Sequence, residues 1–241
     1  MTVDGNYDAV NRLCTQVADQ YGWGFANINL RPFYSEGSKT VAFEIVEQLG
    51  WQGPDAVVVP MAGASLLTKM HKGFTEMVSV GWLEEYTTRL IGAQAEGCAP
   101  VVQAFRSGSD DVQPVVPHTL AKSLAIGDPA DGYYALKAIR ATGGYAEAAT
   151  DAEIVDGIRL LARTEGVFTE TAGGTVVAVA KRLRESGRIG SHDRTVLCIT
   201  GNGLKTPEAL DGESFPTLHL ERASLGAFED ALEPESAAVL V

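Results

Sequence analysis

Two short runs, residues 56–59 and 195–199, are apolar at nearly every position, and each leads into small or glycine-rich residues. A strand without a polar face has no side to turn to water, so it belongs in a sheet covered on both faces. Helical spacing surrounds these runs. Residues 8–21 place Val10, Leu13, Cys14 and Val17 on one face, and residues 39–49 do the same with Val41, Ile45 and Leu49. The same period predicts helices over 62–78, 130–141, 151–164 and 172–185, with Thr150 and Glu153 forming a capping box ahead of the third. Residues 25–29 and 90–95 read as further strands, and a polar turn is expected after the first of them. The alternation predicts an α/β fold: a mostly parallel twisted sheet with helices on both faces.

In such sheets ligands sit beyond the carboxyl ends of the strands. Two segments lie there, residues 61–66 and 200–204. The expected organisation is a remainder of a smaller domain over 1–50, a large α/β domain over 51–210 and a loosely held tail over 211–241. Val3-Asp4-Gly5-Asn6 reads as the last residue of a strand followed by a turn. A strand usually has about five residues, so the expectation is an α/β unit entered halfway, with its amino-terminal part missing.

The formal net charge of −12 repels phosphate backbones and anionic lipid, which argues against nucleic acid and membrane surfaces as partners. Cys14, Cys98 and Cys198 are far apart, and His71, His118, His192 and His219 do not cluster with them. No metal is expected, and the thiols read as reduced. With no apolar run of about 18 residues and no signal pattern, the expected location is the cytoplasm.

Three segments have the composition of ligand sites. In Val57-Val58-Val59-Pro60-Met61-Ala62-Gly63-Ala64-Ser65-Leu66, small residues between a buried strand and a helix let backbone N–H groups approach an anion. Close strand-to-helix packing is the alternative reading. Thr200-Gly201-Asn202-Gly203-Leu204-Lys205-Thr206 lacks the spacing of a nucleotide-binding Walker loop. Its Thr200 either offers a neutral hydroxyl to a ligand or caps the turn. The segment from Asn29 through Arg31 and Tyr34 to Lys39 and Thr40 concentrates cations in an acidic chain. Arg31 or Lys39 there suits a phosphate or carboxylate, and a capped surface loop is the alternative. A fourth segment, Gly166-Val167-Phe168-Thr169-Glu170-Thr171-Ala172-Gly173-Gly174, packs closely against a partner that the sequence does not identify.

In this order, Glu36-Gly37-Ser38-Lys39-Thr40 with Ala42-Phe43-Glu44, the Val58 to Ser65 loop, Gly127-Asp128-Pro129-Ala130, Gly166 to Glu170 and Thr200 to Lys205 resemble the threonine-synthase branch of the tryptophan-synthase-β-type family. The match corresponds to the carboxyl-terminal two-thirds of such an enzyme. The resemblance implies the pyridoxal-phosphate fold type II, with pyridoxal 5′-phosphate as cofactor. It maps the phosphate cradle to Ala62, Gly63, Ala64, Ser65 and Leu66, a run less glycine-rich than in some members. It maps the partner of the pyridine nitrogen to Thr200, whose neutral hydroxyl would leave that nitrogen largely unprotonated.

The lysine that carries the cofactor as a Schiff base belongs to an upstream motif that this sequence does not contain. Lys39, Lys69, Lys72, Lys122 and Lys205 occupy other positions, so no catalytic residue is assigned. The implied reaction converts O-phosphohomoserine and water to threonine and phosphate, with Arg31, Asn29 and Lys39 on the substrate side. A complementing amino-terminal chain and a homo-oligomer of the complete enzyme are the implied partners. A non-catalytic module that binds pyridoxal phosphate or a phospho-amino acid, and a related lyase acting on another hydroxy or phospho amino acid, are the competing readings.

Overall fold

A computed structural model of the chain describes residues 2–25, 31–210, 220, 222 and 224–231. Residues 1–209 form one compact unit and residues 210–241 a second. The first contains the sheet, and the second contributes helix α9 (Leu225–Ala231).

The sheet has four parallel strands in the order β3-β2-β1-β4. They are β1 (Ala56–Pro60), β2 (Arg89–Ala95), β3 (Tyr145–Ala149) and β4 (Thr195–Leu197). The helices of the first unit are α1 (Tyr7–Tyr21), α2 (Arg31–Ser38), α3 (Thr40–Gln48), α4 (Ser65–Ser79), α5 (Pro100–Ser107), α6 (Gly132–Ala141), α7 (Asp151–Glu165) and α8 (Thr171–Glu185). Alternate residues of β1 feed two cores. Val57 and Val59 pack with α3, α4, α5 and α6, whereas Ala56 and Val58 pack with α7 and α8. All five residues of β1 are buried, as an apolar strand covered on both faces requires.

The expected α/β class with a parallel sheet is what the chain adopts, and the capping box at Thr150 and Glu153 forms in full. Several elements differ from the periodicity reading. Residues 31–38 are helix α2 rather than a polar turn; Pro32 sits in the first turn, where its missing N–H breaks no helical bond. Strand β3 (Tyr-Ala-Glu-Ala-Ala) carries residues that favour helix, and its pairing with β2 overrides that preference. Helix α5 starts on Pro100 and was not marked by the sequence pattern. Strand β4 ends at Leu197 and is half-buried, because among the described strands it pairs with β1 alone. The strand expected over 25–29 falls almost wholly outside the described residues.

Glycines fix the α7–α8 contact. A Cβ at Gly157 would overlap the backbone of Gly174, and one at Gly174 would overlap the Ile154 carbonyl and the Ile158 side chain. The two helices therefore approach to backbone contact. No helix among the described residues is long and apolar enough to cross a membrane.

Candidate functional site

Strands β1 and β4 are adjacent and parallel, with Val58 opposite Leu197. Their carboxyl ends therefore open on the same edge of the sheet, which is where residues 61–66 and Thr200 follow. The two segments share one cavity of about 330 Å³, lined by Ala62, Gly63, Ala64, Ser65, Leu66 and Thr200.

The loop from β1 to α4 turns sharply into the helix. Ala64 has φ +67°, a left-handed conformation at the helix N-cap without a side-chain cap bond. A non-glycine residue held there costs about 1–3 kcal/mol. The N–H groups of Ala62, Gly63, Ala64, Ser65 and Leu66 find no acceptor among the described residues. They lie at the start of a 15-residue helix, whose end carries partial positive charge. The carbonyl of Gly63 is held by the N–H of Asp131 at 3.1 Å. This bond ties in the Gly127-Asp128-Pro129-Ala130 turn, whose Gly127 N–H donates to Asp8 of α1 at 2.9 Å.

Thr200 is exposed to the cavity, and the loop after it is clamped from behind. Glu170 N–H donates to the Gly201 carbonyl at 3.1 Å, and Gly203 N–H to the Phe168 carbonyl at 3.0 Å. The Thr169 hydroxyl also donates to Gly201, at 3.0 Å. The unidentified partner of residues 166–174 is thus this second loop, together with α7. At both paired positions a side chain would crowd a neighbouring one. A Cβ at Gly203 would enter the Phe168 ring, and one at Gly201 would overlap the Glu170 carboxylate.

Residues that the sequence reading did not assign complete the wall: Tyr7, Tyr34, Leu124, Ile126, Glu170 and Ala172 among them. Tyr34 arrives on helix α2, with its hydroxyl 3.5 Å from Ser65 Oγ. Glu170 is the N-cap of α8 and 3% exposed. Its Oε1 accepts from Lys205 Nζ at 3.2 Å, while its Oε2 has no partner among the described residues. The neighbouring Thr171 Oγ1 is likewise buried and unpaired.

Of the other candidates, Asn29 and the side chain of Arg31 lie outside the described residues. Lys39 is buried and directed to Glu36 and Glu76 rather than lining the cavity. The hydrogen bonds from Lys39 and then Lys72 hold the Glu36 carboxyl down at about 2. The Lys39 ammonium is stabilised in turn, first by Glu36 and then by Glu76. The seven lysines are all described, and none lines the cavity. Among the described residues there is no cluster that suits a metal ion.

A family model described as pyridoxal-phosphate dependent enzyme matches residues 1–201. A threonine synthase of Methanocaldococcus jannaschii is 43% identical over 208 residues, covering 86% of this chain and 51% of that protein. One of Methanosarcina acetivorans is 38% identical over 212 residues, covering 87% and 52%. One of Mycobacterium tuberculosis is 36% identical over 211 residues, covering 86% and 55%. The chain spans about half the length of the curated relatives it matches. Among solved structures, a diaminopropionate ammonia lyase from Escherichia coli matches with TM-score 0.67 at 17% identity, covering 87% of this chain and 57% of that one. A threonine deaminase isoform from Solanum lycopersicum matches with TM-score 0.64 at 18% identity, covering 83% and 56%. At these identities the structural likeness concerns the fold.

Proposed function

The chain belongs to the family of pyridoxal-phosphate-dependent enzymes, and from that premise we propose that it forms the phosphate-and-ring part of a threonine-synthase site. The completed enzyme would convert O-phosphohomoserine and water to threonine and phosphate. The observation that carries this reading is the single cavity in which residues 62–66 meet Thr200.

The cavity suits the cofactor at each end. A run of N–H groups without acceptors at the start of α4 matches a phosphate dianion. Leu124, Ile126 and Ala172 offer apolar surface to a flat ring, and the Thr200 hydroxyl offers a neutral polar contact at its edge. When bound, pyridoxal phosphate supplies an electron sink for the amino-acid carbon skeleton. The chain's own residues do the rest of this share of the work. Ala62, Gly63, Ala64, Ser65 and Leu66 fix the phosphate, Thr200 fixes the ring, and Tyr7 and Tyr34 bound the cavity. Arg31 and Asn29 are proposed for the substrate's phosphate, with Lys39 pinning α2 to α4 through Glu36 and Glu76.

The covalent anchor and proton shuttle would come from a complementing amino-terminal segment, so this chain alone is expected to be inactive. The test is phosphate release from O-phosphohomoserine and from O-phosphoserine. It is run on the chain alone and on the chain mixed with the amino-terminal part of a related threonine synthase. Turnover only in the mixture, with O-phosphohomoserine preferred by about tenfold or more, is the expected result. Turnover by the chain alone, or preference for O-phosphoserine, would overturn the reading. Borohydride treatment of the chain with pyridoxal phosphate should leave no lysine adduct by mass spectrometry; an adduct on Lys205 would show that the anchor is present after all.

A further inference from the structure

A second cavity lies at the opposite edge of the sheet. Residues from 50–53 and 81–87, together with Arg194, lead into the amino ends of β1, β2 and β4. They line a space of about 600 Å³. Two tryptophans stand in it. Trp51 and Trp82 have ring centroids 5.7 Å apart and planes inclined at 74°, and both are half exposed. Phe43 backs Trp82, with centroids 6.5 Å apart and planes at 77°. Rings set near a right angle make a corner in which a compact cation can lie within about 6 Å of both centroids.

Both tryptophans arrive by the same device. Helices α3 and α4 are each closed by a glycine with positive φ, Gly50 at 70° and Gly81 at 77°. The next N–H then folds back on the helix. Trp51 donates to the Val46 carbonyl and Trp82 to the Met77 carbonyl, each at 2.8 Å. Two helix carboxyl ends therefore meet at this cavity. Such an end carries partial negative charge, which a basic side chain would offset, yet neither α3 nor α4 has one in its last turn. Glu84 and Glu85 add two carboxylates to the lining, both exposed and neither ion-paired to a described residue. Arg194 is the basic residue there, and its guanidinium is taken up by Gln52 and the Gly53 carbonyl at 3.4 and 3.0 Å.

We propose that Trp51, Trp82, Glu84 and Glu85 form a second binding site, for a small organic cation of the alkylammonium class. Indole faces attract an ammonium group that has little hydration to lose, and the carboxylates and helix ends fix the sign of the charge. The same negative charge repels a ligand carboxylate, so an amino alcohol fits better than a zwitterionic amino acid. Among the described residues there is no cluster that suits a metal ion. The site lies at the amino ends of the strands, whereas residues 62–66 and Thr200 lie at their carboxyl ends, so it is independent of the cofactor cavity.

The probe is choline, added to the full chain at constant ionic strength with sodium chloride as the balancing salt. Trp23→Phe removes the third tryptophan, so that fluorescence reports Trp51 and Trp82 alone. The expected result is a saturable change in emission, with half-saturation at millimolar choline. The uncharged isostere 3,3-dimethylbutan-1-ol, and glycine betaine, which adds a carboxylate, should each bind at least about fivefold more weakly. Trp82→Leu, and Glu84→Gln combined with Glu85→Gln, should each weaken choline binding by about threefold or more. No saturable change, equal binding of the alcohol or of betaine, or wild-type affinity in both variants overturns the site. Should the variants fail to fold, two-dimensional NMR spectra of the wild-type chain decide. Choline should move the indole N–H signals of Trp51 and Trp82 and leave that of Trp23 in place; movement of the Trp23 signal alone overturns the proposal.

Discussion

The N–H of Asp131 donates to the carbonyl of Gly63 at 3.1 Å, joining segments 68 positions apart in the sequence. One backbone bond thus fixes the orientation of the loop between β1 and α4, and with it the direction in which residues 62–66 aim their N–H groups. The Gly127–Asp131 turn serves the cavity without lining it.

The left-handed backbone at Ala64 gives a paired test. Ala64→Gly relieves the strain but frees the unfolded chain, so stability should stay within about 1 kcal/mol and phosphate-ligand binding should persist. Ala64→Val places a branched side chain at a buried position with φ +67°. It should lose about 2 kcal/mol or more and bind pyridoxal phosphate at least about tenfold more weakly. Thermal unfolding and fluorescence titration check both, and equal binding by the two variants would contradict the cradle geometry.

Thr200 should separate binding from folding. It is exposed, so Thr200→Val should shift stability by less than about 0.5 kcal/mol. Loss of one hydrogen bond to the ring should weaken pyridoxal-phosphate binding by about three- to tenfold. Unchanged affinity would leave the hydroxyl as a turn cap only.

Gly201→Ala should damage both. The new methyl group would meet the Glu170 carboxylate, which is buried and cannot swing into water without leaving Lys205. A loss of about 1–3 kcal/mol in thermal or denaturant unfolding is expected, together with weaker ligand binding. Wild-type stability in this variant would mean that the Glu170 side chain is free to move.

The attachment of α2 to α4 should depend on pH in the acid range. The Glu36 carboxyl is held at about 2, below its ordinary value of 4.5, chiefly by hydrogen bonds from Lys39 and then Lys72. A lowered folded value means that the stabilisation is complete above about 4.5 and disappears as pH falls toward 2. The difference in melting temperature between wild type and Glu36→Gln should close across that window, and shrink in salt because these groups are at the surface. A difference independent of pH would argue against the pairing.

Thiol chemistry should single out Cys14. Burial pushes the Cys98 thiol up to about 11 and the Cys198 thiol up to about 12, whereas Cys14 is partly exposed on α1. Native-state alkylation at about pH 8 should label Cys14 first. Early labelling of Cys198 would mean that the sheet edge at β4 opens readily.

Much of the framework was legible because it depends on local pattern. The all-apolar 56–59 run has no wet face, and the helical period over 8–21, 151–164 and 172–185 sets which side turns inward. Thr150 and Glu153 cap a helix wherever they fall at that spacing. Strand β3 was not legible, because Tyr-Ala-Glu-Ala-Ala has no strand preference of its own and gains one only from hydrogen bonds to β2. Helix α2 was hidden by Arg31-Pro32, which reads as a turn unless the proline falls in the first helical turn.

The sequence by itself determined the parallel α/β class, the small-residue loop over 62–66 and the hydroxyl at Thr200, since each follows from residue type over a few positions. Only the tertiary structure decided that the loop and the hydroxyl face one cavity, because that depends on β1 and β4 lying side by side with Val58 opposite Leu197. It also turned residues 166–171 from an unassigned close-packed segment into the clamp behind Thr200. Glu170 became part of the site in the same way, its carboxylate buried with one oxygen unpaired. Burial and pairing are set by segments about 30 residues away, and no local pattern records them.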